Sequence, residues 1–323
     1  MTKYVISGYI GFDNFGDEAI AQVLTSYLKA SGAEKITVLS SNPEKTANFY
    51  GVDSINFLKF LKPIIESDVL ISGGGSLLQD ITSLKSLIYY LAVITTALVL
   101  NKKVIIFAQG FTPFRTRMAK FFTKFLLQYC HKIYVRDSKS QEMLNAMDID
   151  SELISDPVFG MATPIVENKK GIGIQLRSFP RLNDDFLQGL ANIVSKRFPN
   201  ERIKLFSLQD SLDMDILEKF ARMLEKNNIE SKIYHSLSVN ETINELSKLE
   251  FLIGMRFHAN LIAAKAGVKV LGINYDIKVS NLSNIVGFPI INLNEEIFEK
   301  SFEQLMVLDP QNYNIPIFKF PKI

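Results

Sequence analysis

Short apolar runs rich in β-branched residues alternate along the chain with longer segments whose apolar residues recur at helical spacing. This alternation is typical of α/β proteins with parallel strands. The predicted strands of the first half are Tyr4–Ile10, Ile36–Ser40, Asp68–Ser72, Lys103–Ala108, Lys132–Arg136 and Leu153–Ile154. The predicted helices among them are Glu18–Ala30, Leu77–Leu100, Arg115–Tyr129 and Lys139–Met147.

The alternation stops over residues 162–171, where Pro, Asn and Lys occur without periodicity, as in a linker. A second series follows, with predicted strands Gly171–Leu176, Ile203–Leu208, Ser231–Tyr234, Phe251–Ile253, Lys269–Ile273 and Pro289–Asn292. We therefore predict an α/β fold of two Rossmann-like domains facing a cleft, a GT-B-like architecture. The domains are expected at residues 1–163 and 170–308, with a C-terminal tail, 309–323, packing on the first.

Composition narrows the class of protein, its partners and its compartment, but it does not indicate a function. The 323 residues are 47% hydrophobic and 22% charged, which fits a soluble globular protein. A net charge of +2 gives no reason to expect nucleic acid as a partner. The single cysteine, Cys130, excludes an intrachain disulfide and fits the reducing cytosol. The N-terminus shows no signal-peptide pattern, and the longest apolar run, Ile88–Leu100, is too short to span a bilayer, so we expect a cytoplasmic protein.

Two glycine-containing loops follow predicted strands of the first domain. In the first, residues 8–19, Asn14 and Asp17 are candidates for substrate contact, although Asp17 and Glu18 also suit a helix cap and first turn. Its spacing matches neither a dinucleotide fingerprint nor a phosphate-binding P-loop. In the second, Gly73, Gly74, Gly75 and Ser76 end a strand and are predicted to open a helix, an arrangement that favours anion binding. Gln109 ends the neighbouring strand.

Charged residues occupy the same position after other strands. Arg136 ends a strand, where its guanidinium could capture a carboxylate or phosphate, or pair structurally with Asp137. Arg256 and His258 follow Phe251–Ile253, and His258 opens a helix as a candidate proton donor or acceptor.

Tyr275 and Lys278 follow the next strand in the same way. We expect Arg136, Arg256, His258 and Lys278 to converge on one cleft, opposite the glycine-rich loops. Such a set suits a small anionic ligand. No residue spacing indicates a metal site, and no serine or cysteine nucleophile motif is present.

The ordered series of motifs resembles the polysaccharide pyruvyl transferase family, and within it the cell-surface-anchoring, CsaB-type branch. The segments that carry the resemblance are Gly8–Ala19, Ser72–Asp80, Ala108–Pro113, Arg136–Ser138, Asp156-Pro157, Gly254–His258 and Tyr275–Lys278. The resemblance runs from the N-terminus to about Gly287. It implies that phosphoenolpyruvate is the donor substrate, that no further cofactor is needed, and that a sugar receives a pyruvyl ketal. In that branch the acceptor is an N-acetylmannosamine-type residue of a lipid-linked secondary cell wall polymer precursor.

By the same resemblance, Arg136 matches the donor-binding arginine, Arg256 and His258 the Arg-x-His motif, and Tyr275 to Lys278 the Tyr-Asp-Pro-Lys motif. Ile277 stands where the family usually has proline. His258 is our hypothesis for the general acid or base, and Asp17 a second catalytic candidate that would orient or deprotonate the acceptor. A GT-B glycosyltransferase using a nucleotide sugar and a non-catalytic sensor of a phosphorylated metabolite stay open as alternatives. The sequence leaves the acceptor sugar and the oligomeric state undetermined.

Within residues 113–132, Arg115, Arg117, Lys120 and Lys124 are interspersed with Phe121, Phe122, Phe125 and Leu126 in a helical pattern. Basic amphipathic helices with aromatic residues can lie on anionic lipid, here at the inner face of the cell membrane. The alternative is a helix that packs its apolar face on the sheet and leaves a basic face in water.

Overall fold

The computed structural model describes residues 2–81, 83–293 and 298–323. The chain divides into two compact units, which we call the N-terminal and the C-terminal unit. The N-terminal unit runs to Met161 and includes Ile317–Ile323, and the C-terminal unit is Ala162–Pro316. Both are α/β, as predicted.

The N-terminal unit is built around one parallel sheet. Its strands are β1 (Lys3–Ser7), β2 (Lys35–Ser40), β3 (Asp53–Asn56), β4 (Val69–Gly73), β5 (Lys103–Gln109), β6 (Lys132–Val135) and β7 (Glu152–Leu153). Its helices are α1 (Phe15–Ala30), α2 (Pro43–Tyr50), α3 (Leu61–Glu66), α4 (Leu84–Val99), α5 (Arg117–Leu127) and α6 (Ser138–Asn145). The strand order is β3-β2-β1-β4-β5-β6-β7, so the winding reverses between β1 and β4. Ligands of such sheets bind at the carboxyl ends of the strands beside this switch point.

The C-terminal unit repeats this plan. Its strands are β8 (Ile172–Gln175), β9 (Ile203–Phe206), β10 (Ser231–Tyr234), β11 (Phe251–Gly254), β12 (Lys269–Asn274) and β13 (Ile290–Asn292). Its helices are α7 (Asp184–Arg197), α8 (Asp210–Lys226), α9 (Val239–Ser247), α10 (Phe257–Lys265), α11 (Ile277–Val286) and α12 (Phe298–Val307). The strand order is β10-β9-β8-β11-β12-β13, which places the switch point between β8 and β11.

The central strands are buried along most of their length because helices cover both faces of a parallel sheet. In β5, Lys103 is exposed and the six residues that follow it are buried. In β11 all four residues are buried. Both strands therefore hold their carboxyl ends, and the loops beyond them, in fixed positions.

One predicted helix was wrong at its start. We expected Leu77–Leu100, but α4 begins at Leu84 with Ser83 as its N-cap; Thr82, within the predicted range, lies outside the described residues. Gly74 and Gly75 have φ of +68° and +74°, values that do not occur within a right-handed helix. The Asp80 carboxylate accepts hydrogen bonds from the backbone N–H groups of Arg115 and Thr116, both at 2.8 Å, which holds this segment as a loop. Ser76 therefore does not open a helix.

The segment from residue 43 to residue 66 contains α2, β3 and α3, none of which we predicted. Strand β3 lies at the sheet edge and reads Asp-Ser-Ile-Asn, so it lacks the apolar run that marks a buried strand. Sequence periodicity identifies buried elements more readily than short edge elements.

The C-terminal residues of the chain belong to the N-terminal unit. The Phe320 ring stacks on Tyr27, with ring centroids 3.6 Å apart, and also on Phe107 at 5.4 Å. The Tyr134 hydroxyl donates a hydrogen bond to the Lys322 carbonyl oxygen at 2.9 Å. Aromatic stacking thus fixes the end of the chain against the sheet.

Candidate functional site

The first glycine loop of the N-terminal unit ends in a helix cap. The Asn14 side-chain oxygen accepts a hydrogen bond from the Gly16 backbone N–H at 3.1 Å, so Asn14 is the N-cap of α1. Asp17 and Glu18 lie in the first turn, where carboxylates favour the positive helix end. The cap is therefore Asn14, not the Asp17–Glu18 pair.

Glu18 holds the loop together. Its Oε1 accepts a hydrogen bond from the Gly11 backbone N–H at 2.6 Å, and its Oε2 accepts one from the Tyr50 hydroxyl. Gly11 has φ of +83°, and a Cβ there would lie 2.2 Å from the Ser40 Oγ. Burial is the main cause that raises the pKa of the Glu18 carboxyl above its ordinary value, against the opposing hydrogen bonds. Glu18 is thus engaged in shaping the loop.

Asp17 lies against the second glycine loop. A Cβ on Gly75 would be 2.6 Å from the Asp17 Oδ1, and one on Gly74 would be 2.5 Å from the Ile20 Cγ2. The adjoining Gly73 packs on Leu24, with only 3.3 Å available for a Cβ. The glycines therefore let the start of α1 approach the loop after β4, and they bring the Asp17 carboxylate to the switch point.

Arg136 joins this cluster from β6. Its Nη1 lies 3.3 Å from the Asp156 Oδ2, and its Nη2 lies 3.4 Å from the Ser76 Oγ. A Cβ on Gly110 would be 3.0 Å from the Arg136 Nε, so the guanidinium rests on a glycine backbone. Its nearer ion-pair partner is Asp156 rather than Asp137, whose carboxylate lies 4.0 Å from the Nε.

Gln109 has a different setting. Its side chain is fully buried, and its Nε2 donates a hydrogen bond to the Ser72 Oγ at 2.8 Å. The amide therefore links the ends of β4 and β5 beneath the loops. In this position Gln109 supports the shape of the loops. Direct contact between Gln109 and a substrate stays a prediction.

In the C-terminal unit, Arg256 has an internal partner. Its Nε lies 2.9 Å from the Asp213 Oδ2 and its Nη2 lies 2.6 Å from the Oδ1, a bidentate pair. The Asp213 side chain has no exposed area, and the Arg256 side chain is 9% exposed. Gln175 completes the network, because its Oε1 accepts a hydrogen bond from the Arg256 backbone N–H at 2.7 Å.

This network fixes the first turn of α10. Arg256 is the N-cap residue of that helix, and His258 lies in its first turn, half-buried, with its ring edge-on to Phe257 at 4.9 Å. Asn260 donates a hydrogen bond to the Gly254 carbonyl oxygen at 2.9 Å. A Cβ on Gly254 would be 2.1 Å from the Asn260 Oδ1, so glycine is required there. Arg256 thereby positions His258 at the switch point.

Lys278 lies in the first turn of α11. The N-cap is Asp276, whose carboxylate accepts a hydrogen bond from the Lys278 backbone N–H at 2.9 Å. Ile277, which replaces the family's proline, is the first helical residue and is 57% exposed. Proline is common at that position because the N–H there has no helical partner. Isoleucine therefore leaves the helix start unchanged.

Arg177 is a residue that the sequence analysis missed. Its guanidinium carbon lies 5.4 Å from the centre of the Tyr275 ring, and its Nη1 lies 3.4 Å from the Tyr275 hydroxyl. Its Nε is buried and has no hydrogen-bond partner among the described residues. Arg177 follows β8 at the switch point, just as Arg256 follows β11, so the search for residues after strands could have found it.

A cavity of about 450 Å³ lies next to Tyr275 in the C-terminal unit. The residues that line it are Phe179, Arg181, Asn183, Asn274, Tyr275, Asn292 and Leu293. Aromatic rings, amides, one leucine and one cation make up this lining, and none of these described residues is acidic. Its volume is within the range of small-molecule sites. No cluster of three or more metal-ligating side chains occurs in the part of the chain that the structure describes.

Solved structures share this fold at low sequence identity. The UDP-GlcNAc 2-epimerase of Methanocaldococcus jannaschii has a TM-score of 0.70 and 11% identity, over 99% of this chain and 96% of its own. The enzyme of Neisseria meningitidis, bound to UDP-GlcNAc, has a TM-score of 0.65 and 12% identity, over 96% and 93%. HepE of Anabaena, in complex with UDP and glucose, has a TM-score of 0.63 and 11% identity, over 98% and 92%.

These likenesses confirm a GT-B-like fold and carry no further argument about activity. Among proteins of curated function, none matches the sequence significantly. The sequence model of the family described as polysaccharide pyruvyl transferase matches residues 14–277, which include Asn14, Arg136 and His258. The chain belongs to the polysaccharide pyruvyl transferase family.

Proposed function

We propose that this protein transfers the enolpyruvyl group of phosphoenolpyruvate to a sugar as a cyclic ketal, with release of phosphate. The observation that carries the proposal is the family match over residues 14–277, which spans the switch-point residues of both units. We assign the protein to the CsaB-type branch. Its acceptor is then an N-acetylmannosamine-type residue of a lipid-linked glycan, and phosphoenolpyruvate is its only small-molecule partner.

The cations of the C-terminal unit suit this donor. Phosphoenolpyruvate carries a carboxylate and a phosphate, and arginine binds both groups well. We assign donor binding in the C-terminal unit to Arg177 and Lys278, and Arg136 stays a predicted substrate-binding residue of the N-terminal unit. Arg256 is a positioning residue in this proposal, because Asp213 occupies two of its guanidinium nitrogens.

The reaction needs one proton donor and two hydroxyl groups. A proton added to the methylene carbon of phosphoenolpyruvate makes C2 electrophilic, and one sugar hydroxyl attacks C2. A second hydroxyl of the same sugar then displaces phosphate and closes the ketal. Of the two hydroxyl protons, one balances the proton added to the methylene carbon and the other leaves with phosphate. We assign His258 to proton transfer in these steps.

The N-terminal unit supplies the groups that we assign to the acceptor. The loop of Gly73, Gly74 and Gly75 lets the start of α1 approach the carboxyl end of β4, with Gly73 half-buried and the other two buried. Asp17, held against Gly75, is placed to accept a hydrogen bond from a sugar hydroxyl and to orient it. Asn14 and Ser76 border the same loops.

The proposal is tested by incubating the full chain with phosphoenolpyruvate and a panel of lipid-linked or aryl N-acetylhexosamines. Phosphate release is measured, and the products are weighed by mass spectrometry. A product heavier by one pyruvyl ketal, with one phosphate per product, is the expected result. No release with any acceptor, together with a thermal shift induced by uridine nucleotides, would instead support a glycosyltransferase that uses a nucleotide sugar.

His258→Ala is the decisive variant in this assay. Loss of a general acid or base lowers kcat by roughly 10²- to 10⁴-fold. His235→Ala, whose side chain is 53% exposed, is the matched control and should retain full turnover. Full turnover by His258→Ala would remove the role assigned to this histidine.

A further inference from the structure

The exposed apolar side chains of this protein are unevenly distributed. Of the 22 large apolar side chains that are exposed in the described part of the chain, 13 lie between residues 57 and 129. Scattered exposed apolar residues are ordinary, whereas a contiguous exposed apolar patch marks an interaction surface.

Helix α5 is the centre of this region. It buries Ala119, Thr123 and Leu127, a narrow stripe of mostly small side chains. Its large apolar side chains point away from the core instead: Met118 is 69% exposed, Phe121 64%, Phe122 47% and Phe125 47%. Helix α5 therefore packs Ala119 and Leu127 on the core and leaves its phenylalanines largely uncovered.

Helix α4 extends the same surface. It packs against α5, and its Leu84 and Ile88, one turn apart, are 55% and 57% exposed. Tyr129, just after α5, is 60% exposed and stacks edge-on with Phe125 at 5.3 Å. We call this surface the α4–α5 face.

The charge of the α4–α5 face has one sign. Residues 81–132 contain eight Lys or Arg and no Asp or Glu, in a chain whose net charge is +2. Arg115, Arg117 and Lys120 are exposed, and none of them forms an ion pair with a described residue. Two other cations of this stretch are paired, Lys124 with Asp148 at 3.0 Å and Lys132 with Glu152 at 2.7 Å.

We propose that the α4–α5 face binds the surface of an anionic lipid bilayer. The phenylalanine rings would enter the headgroup layer while Arg115, Arg117 and Lys120 contact lipid phosphates, as in interfacial helices. A second copy of the chain is a poor occupant, because two faces of the same positive charge repel each other. In the described part of the chain, no helix has the length and apolar character to cross a bilayer, so the contact is peripheral.

The face is coupled to the glycine-rich loop. Both carboxylate oxygens of Asp80, which ends that loop, accept hydrogen bonds from the residues that start α5, including the Thr116 hydroxyl at 2.9 Å. Thr116 is also the N-cap of α5. Binding to a bilayer would therefore hold Gly73–Gly75 close to the lipid surface, where a lipid-carried glycan is presented. Membrane binding itself does not depend on the proposed reaction.

The test is flotation of the full chain with vesicles of phosphatidylcholine alone and with 30% phosphatidylglycerol. The variant pair Phe121→Ser with Phe125→Ser, and the pair Arg117→Glu with Lys120→Glu, should each weaken binding to anionic vesicles at least tenfold. Phe49→Ser is the control for an exposed phenylalanine, on α2. Arg222→Glu with Lys226→Glu is the control for charge, on the exposed side of α8. Both controls should bind as the unaltered chain does.

A fluorescence measurement gives an independent readout, because the chain contains no tryptophan. The emission of Phe125→Trp should shift to the blue with anionic vesicles, whereas that of Phe49→Trp should not move. Unchanged emission of Phe125→Trp, or equal flotation with neutral and anionic vesicles, would overturn the proposal. Dimers in solution that dissociate with the Phe121→Ser, Phe125→Ser pair would also overturn it, because a second copy would then cover the face.

Discussion

The two switch points share one topology, but different structural features hold them in shape. In the N-terminal unit, Gly75 at φ of +74° brings backbone against Asp17, and Gly110 does the same against Arg136. In the C-terminal unit, a buried Asp213–Arg256 pair fixes a helix start that presents His258. The first is held by close backbone contacts, whereas the second is held by a buried ion pair next to a titratable group.

The two features keep their shape in different ways. A glycine loop keeps its shape through close contacts, so it tolerates no added atom. A buried ion pair keeps its shape only while both charges are present, because a lone buried charge is strongly unfavourable. The two sites should therefore fail in different ways when they are altered.

The largest expected effect is on the buried pair. Asp213→Ala leaves the Arg256 guanidinium buried without its carboxylate, which should lower the free energy of unfolding by about 3–5 kcal/mol. Asp215→Ala, on the exposed side of the same helix, should change it by less than about 0.5 kcal/mol. Urea unfolding measures both. Equal stability of the two variants would show that the pair does not anchor α10.

Arg177→Met tests whether the Arg177 side chain binds the donor substrate in the C-terminal unit. Loss of hydrogen bonds to a charged ligand weakens binding by about 1.5–3 kcal/mol, so KM for phosphoenolpyruvate should rise roughly 10- to 100-fold. Arg222→Met, an exposed arginine on α8, is the control. Steady-state kinetics decide, and an unchanged KM would exclude Arg177 from donor binding.

Gly75→Ala tests whether activity depends on the close approach of Asp17 to the glycine loop. A left-handed backbone costs an L-residue about 1–2 kcal/mol, and here the new Cβ would also displace Asp17. Gly32 has φ of +77° and no neighbour within 4 Å, so Gly32→Ala carries the backbone cost alone. Gly75→Ala should lose at least as much stability as Gly32→Ala, and only Gly75→Ala should lose activity. Activity retained by Gly75→Ala would mean that the position of Asp17 is unimportant.

Glu18→Gln should have the smallest effect, visible in the pH dependence of stability. The pKa of the folded Glu18 carboxyl is raised, chiefly by burial, so the folded state binds a proton more tightly than the unfolded state. Its contribution to stability is present below the unfolded pKa and is lost as pH rises through the folded pKa, by at most about 1.4 kcal/mol per pH unit. Glu18→Gln should remove this slope, whereas Glu44→Gln, exposed on α2, should keep it. Urea unfolding midpoints are measured from roughly pH 4 to 7. Parallel curves of midpoint against pH for the two variants would contradict the prediction.

Much of this protein can be predicted from its sequence. Every strand predicted in the second half occurs within two residues of its expected bounds. Central strands such as β11 are easiest to predict, because buried parallel strands are continuous apolar runs. The rule that ligand-binding residues follow strands placed Gly73, Arg136 and His258 at carboxyl ends of strands, because all strands of such a sheet point the same way. These features depend on short stretches of chain.

Only the tertiary structure decided what each side chain is bound to. Asp213 lies 43 residues from Arg256 and Asp156 lies 20 from Arg136, so no local pattern shows which arginine is paired internally. The same is true of Asp17 against Gly75, and of the outward aromatic face of α5. Local spacing determines which elements form, because backbone hydrogen bonds and apolar periodicity act over a few residues. Burial and ion pairing join segments that are far apart in the chain, and they set the chemistry of each site.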